Sequence, residues 1–103
     1  MVVPFLIKCA VSGETPMVVR GDGSAEREFI HAYDVARGIL MAVDKAPGTV
    51  LNLASGYDFS IQQWVETVVG QSSTRPKIIW DNSKPCGDRK RIMAVSRAKA
   101  IGF

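Results

Sequence analysis

Gly21-Asp22-Gly23-Ser24-Ala25-Glu26-Arg27-Glu28-Phe29-Ile30-His31-Ala32-Tyr33-Asp34-Val35-Ala36-Arg37-Gly38 is the stretch on which the reading of this chain turns. A tight glycine turn comes first, then an arginine on a strand-like run, then the start of a helix. Glycine supplies the positive φ that such a turn needs. The Arg27 guanidinium is permanently charged and presents forked donors that match a diphosphate. The residues alone leave a second reading open, a surface arginine paired with Glu26 or Glu28.

Outward from this stretch, Met17-Val18-Val19-Arg20 and Glu28-Phe29-Ile30-His31 read as short strands flanking Asp22-Gly23, with a hairpin as one way to join them. Residues 34–46 read as a helix, with Asp34 near its start. Its apolar positions (Val35, Ala36, Ile39, Leu40, Met41, Ala42, Val43) cover most of the circumference, which predicts burial between two layers. Upstream, Val3, Leu6, Ile7, Ala10 and Val11 stand at helical spacing, Pro4 suits a first turn, and Gly13 offers a stop. Downstream, Val50-Leu51-Asn52-Leu53-Ala54 predicts a strand ended by Ser55-Gly56.

Ser60 and Gln63 spell a capping box, and Phe59 and Trp64 stand as a hydrophobic staple around it. A helix is therefore predicted from Ser60, with its apolar face at Ile61, Trp64, Val65, Val68 and Val69 and its end at Gly70. Lys77-Ile78-Ile79-Trp80 predicts a further strand and residues 81–91 a polar loop. Residues 92–95 suggest a short extension, and Ser96 a cap for a last helix. Neither an internal repeat nor a low-complexity segment is present.

The 103 residues are 47% hydrophobic and 22% charged, which predicts one folded domain with a modest core rather than a disordered chain. No apolar run reaches bilayer-spanning length, and residues 1–7 lack a signal peptide's basic start and cleavage site. A cytoplasmic location and no membrane partner are expected. Cys9, Cys86 and the single His31 cannot build a four-ligand zinc site. Both thiols are expected to be reduced. The net charge of +3 is unevenly spread: residues 75–99 hold eight basic and two acidic side chains. An anionic partner for that third, a phosphorylated small molecule or nucleic acid, and a merely solvated basic surface are all consistent with it. Nucleic acid ranks last, because no aromatic-interleaved platform or recognisable module accompanies the charge.

The quoted stretch resembles the hallmark segment of the substrate-binding half of the extended short-chain dehydrogenases, the NAD-dependent epimerases and dehydratases of nucleotide sugars. Trp80-Asp81-Asn82-Ser83-Lys84-Pro85-Cys86-Gly87 and the later Ser96-Arg97-Ala98-Lys99 resemble the loop and helix of GDP-L-fucose synthases and close relatives. Residues 3–8, Asn52-Leu53-Ala54-Ser55-Gly56 and Phe59-Ser60-Ile61 extend the resemblance from one end to the other. It implies an α/β (α+β) fold: a small substrate-binding domain of three to four helices with short strands, without the Rossmann half. It also implies one domain over residues 1–103, truncated at both ends relative to the family.

By the same resemblance, Arg27 falls at the position that binds the nucleotide-sugar phosphates, and Lys84 at a phosphate or sugar contact. Lys90 and Arg91 match a basic pair of which one faces the ligand, and Arg20 stands where the GDP-L-fucose synthase group has a base-contacting tryptophan. Cys86 and Ala94 each replace an aspartate, and Tyr33 replaces an acid. NAD(P) is implied for the full-length family and no cofactor for this chain, which has neither the Gly-x-x-Gly-x-x-Gly turn nor Tyr-x-x-x-Lys. The expected role is the nucleotide-sugar-binding portion of an epimerase, dehydratase or reductase, unable to transfer hydride alone. The alternative is a stand-alone binding or interaction module of the same fold. The expected partners are a nucleotide-diphosphate sugar and, to cover exposed apolar surface, a second copy or a separate Rossmann half.

Overall fold

A computed structural model describes residues 2–85 and 87–103. The chain forms an α+β fold of four helices and five short strands, in the order α1 (Val2–Ser12), β1 (Met17–Arg20), β2 (Glu26–Arg27), α2 (Ala32–Lys45), β3 (Phe59–Ser60), α3 (Ile61–Gln71), β4 (Ile78–Asp81), β5 (Lys90–Arg91) and α4 (Ser96–Ala100). It divides into two compact units, one ending at Glu26 and resuming over Phe59–Lys90, the other made of Arg27–Asp58 and Arg91–Phe103.

The first unit is built on helical periodicity. Leu6, Cys9 and Ala10 bring one face of α1 inward, where they meet Met17 and Val19 of β1 and Ile61 and Val65 of α3. Leu6 and Val65 are completely buried. Cys9 is a free thiol within this core, while Cys86 lies outside the described residues. The end of α1 leaves carbonyls without intrahelical partners. Ala10 supplies one of them to Ser72 Oγ (3.1 Å) and Thr74 Oγ1 (2.8 Å), which ties α1 to the end of α3.

The capping box is present as read. Ser60 Oγ accepts from the Gln63 N–H at 3.1 Å, and Gln63 Oε1 accepts from the Ser60 N–H at 2.8 Å. The Phe59 and Trp64 rings meet edge to face with centroids 5.7 Å apart. The glycine turn also has the expected backbone, with φ of 84° at Gly21 and 82° at Gly23.

The hairpin does not form. β1 instead pairs in parallel with β4, in the register Met17↔Ile78 through Arg20↔Asp81, and bonds from the Met17 N–H to the Lys77 carbonyl and from the Gly21 N–H to the Asp81 carbonyl extend the ladder. The second sheet has the order β3-β2-β5. Its middle strand stops at Arg27, so residues 28–31 are not the expected strand. His31 is occupied otherwise: its Nδ1 accepts from the Tyr33 N–H at 3.1 Å and caps α2, with Asp34 in the first turn.

In the second unit, Gly38 is the one residue of α2 that is buried. A Cβ there would lie 2.8 Å from Leu53 Cδ2 and from Phe103 Cε2, so the absence of a side chain lets the helix approach both. The rest of the apolar circumference is uncovered: Ile39 is 53% exposed, and Leu40 and Val43 are each 72% exposed.

Residues 50–54 have no ladder partner and do not count as a strand. Side chains hold them instead: Arg97 Nη1 donates to the Val50 carbonyl at 3.3 Å, and Asn52 Nδ2 donates to the Ala94 carbonyl at 3.1 Å. Residues 92–95 likewise form no strand; the short strand falls earlier, at β5, inside the expected loop. Val95 rather than Ser96 occupies the cap position of α4, with no side-chain cap bond.

Candidate functional site

The candidate cations divide between the two units. Arg20, Lys84 and Lys90 belong to the first, Arg27 and Arg91 to the second. Within the first unit, Arg20 ends β1 directly opposite Asp81 of β4. The Asp81 carboxyl is held below the usual carboxylate range, foremost by the Ser83 hydroxyl and the Ser83 N–H, with Lys84 and Arg20 adding charge attraction. Arg20 and Lys84 therefore share one carboxylate as a neighbour.

An equivalent turn stands at Asp22, whose Oδ1 accepts from the Ser24 N–H at 2.9 Å and the Ser24 hydroxyl at 2.6 Å. Both are Asx turns, in which a short acidic side chain satisfies the backbone two residues on. They shape the chain as it leaves the ends of β1 and β4.

Lys90 is engaged with protein: its Nζ lies 2.5 Å from Glu26 Oε2. The acid beside Arg27 thus serves the lysine of β5. Arg27 and Arg91 lie on β2 and β5, which are hydrogen-bonded neighbours, so the fold brings two guanidinium-bearing residues onto adjacent strands. In sequence they stand 64 residues apart.

Glu28, the other acid beside Arg27, is committed to donors in distant segments. Its Oε1 accepts from the Gly56 N–H at 2.5 Å and from the Ser55 hydroxyl at 3.1 Å, while Oε2 accepts from the Met93 N–H at 3.1 Å. Burial pushes this carboxyl up, but the Met93, Gly56 and Ser55 donors outweigh it and hold the group below the usual glutamate range. Nothing in the residue's type or spacing announced this role, because its donors come from the backbone of distant segments.

The second unit also contains an open cleft of about 310 Å³, bordered by Asp34, Arg37, Ser55, Tyr57, Lys99 and Phe103 among others. Sequence reasoning did not single it out. Arg37 Nη1 is 3.2 Å from Asp34 Oδ1, an exposed pair of small energetic weight. Among the described residues there is no group of acidic, cysteine and histidine side chains able to hold a metal ion, and no helix is long and apolar enough to cross a membrane.

Residues 1–54 match the model of the NAD dependent epimerase/dehydratase family. The chain is 32% identical over 107 residues to the probable GDP-L-fucose synthase 1 of Oryza sativa subsp. japonica, covering 99% of this chain and 33% of that protein. Among solved structures, it superposes with a TM-score of 0.78 and 27% identity on the UDP-N-acetylglucosamine 4-epimerase of Methanobrevibacter ruminantium M1 in complex with UDP-N-acetylmuramic acid, covering all of this chain and 33% of that one. The UDP-glucose 4-epimerase of Thermotoga maritima, with UDP-glucose, gives a TM-score of 0.78 at 25% identity, again over the whole chain and 33% of the other. The chain thus spans about a third of the length of the relatives it matches.

Proposed function

Because the chain belongs to the NAD dependent epimerase/dehydratase family, we propose that it is the nucleotide-sugar-binding portion of a GDP-L-fucose synthase-like epimerase, dehydratase or reductase. The observation that carries this reading is the placement of Arg27 and Arg91 on neighbouring strands. A nucleoside diphosphate presents two phosphoryl groups in series, and a guanidinium donates to a phosphoryl group through two parallel N–H bonds. Two guanidinium-bearing residues side by side match that ligand in both charge and number. Arg27 takes the diphosphate, and Arg91, on the neighbouring strand, is the member of the basic pair that joins it. The exposed apolar side of α2 supports the same assignment, since relatives three times as long have further chain with which to cover such a surface.

The described residues do not fit a dinucleotide. Such a site needs a strand, a glycine turn and the N-terminus of a helix in immediate succession. Here the glycine turn at residues 21–23 follows β1 but leads into β2, and α3 follows β3 with no glycine between them. In this reading the chain binds and orients the sugar nucleotide and carries no hydride step of its own.

Calorimetric titration with GDP-, UDP- and dTDP-sugars tests it. Saturable binding of at least one nucleotide sugar is expected; silence across the panel would favour the non-enzymatic module.

A further inference from the structure

We infer that Glu28 is the positioning residue of the phosphate site: its carboxylate fastens the backbone beside Arg27 both to the turn at residues 55–56 and to the stretch that follows Arg91, an inference that rests on the diphosphate reading above. Strands β2 and β5 are only two residues long each, so the ladder between them supplies few bonds. Glu28 adds connections outside the ladder, beside both arginines.

Both of its oxygens are used. One receives the Gly56 N–H and the Ser55 hydroxyl, the other the Met93 N–H. Bonds to an ionised carboxylate are roughly twice as strong as neutral ones. The segments they reach have no regular structure of their own: residues 52–58 and 92–95 form neither helix nor strand. Met93 stands two residues after Arg91, and Glu28 directly follows Arg27. The clamp therefore grips the chain immediately beside each arginine. The acidic neighbour Asp58 acts against the charged form of Glu28, yet the three donors keep it ionised at neutral pH. Fixing both arginines before the ligand binds lowers the entropic cost of binding.

Glu28→Gln tests the assignment, because it keeps the size of the side chain but turns one acceptor into a donor that faces an existing donor. Three readouts are taken together: amide hydrogen exchange at Gly56 and Met93, the NMR order of the Arg27 and Arg91 Nε–H groups, and the Kd for GDP and UDP. Exchange at both amides is expected to accelerate at least tenfold, both arginine signals to become more mobile, and the Kd to rise about tenfold. Arginine order unchanged from the wild type would overturn the inference, whatever the amides do.

Should the wild type bind neither nucleotide, the diphosphate reading fails while the amide and arginine signals still decide the role of Glu28. Should Glu28→Gln fail to fold, the same signals are followed in the wild type as acid protonates the carboxylate. Arginine mobility rising together with amide exchange supports the clamp, and arginine order persisting after the amides are released refutes it.

Discussion

Arg27→Ala is expected to weaken binding of a nucleotide sugar by about 100-fold while leaving the folded state intact. A hydrogen bond to a charged group contributes roughly 1.5–3 kcal/mol, and a forked guanidinium makes two of them to one phosphoryl group. After partial compensation by water, a net loss of about 3 kcal/mol corresponds to that factor. Arg27→Lys keeps the charge but replaces the fork with a point donor, so an intermediate loss of about tenfold is expected. The ordering wild type, lysine, alanine in a calorimetric titration is the signature of phosphate recognition. Equal affinity in all three proteins would remove Arg27 from the site. Thermal unfolding of each variant separates this effect from a loss of fold, because Arg27 is partly buried on β2.

Gly23→Ala is expected to cost the first unit about 3 kcal/mol of stability. Gly23 has φ of 82°, a conformation that disfavours any side chain by roughly 1–2 kcal/mol. A Cβ there would also fall 2.8 Å from Trp80 Cη2 and 3.0 Å from the Cβ of Gln62. Neither neighbour yields easily: one is a rigid indole ring packed against the core, the other a carbon fixed to the α3 backbone. Overpacking of this kind adds about 1–3 kcal/mol. The Gly23 carbonyl accepts from the Gln62 N–H at 3.0 Å, so moving the turn away would break a bond that holds α3. Urea unfolding followed by tryptophan fluorescence reads the change, since Trp64 and Trp80 both lie in this unit. A midpoint equal to that of the wild type would show that the turn relaxes freely.

Local chemistry was legible in the sequence and distant pairing was not. The capping box of α3 and the glycine turn depend on residues two or three apart, and both stand as read. The partner of β1 was not legible, because Lys77–Asp81 carries no mark that distinguishes it from the nearer run at residues 28–31. That nearer run lost its strand for two reasons seen only in three dimensions. Glu28 turns to donors in two other segments, and His31 caps α2 although imidazole is not a favoured capping group. Residues 50–54 have the composition of a strand, but a strand also needs a neighbour, and here side chains of residues 52 and 97 make the connections.

The candidate site shows the same division. Arg27 was legible from its motif. The adjacency of β2 and β5, the engagement of Lys90 with Glu26 and the three bonds to Glu28 all join residues more than 25 positions apart.

Phosphorus NMR of a GDP-sugar titrated with the protein tests diphosphate recognition most directly. Both phosphorus resonances are expected to shift saturably with the wild type, and with Arg27→Ala to shift only at about 100-fold higher concentration. Saturable shifts confined to the protons of the base or sugar, with both phosphorus signals unmoved, would contradict the account.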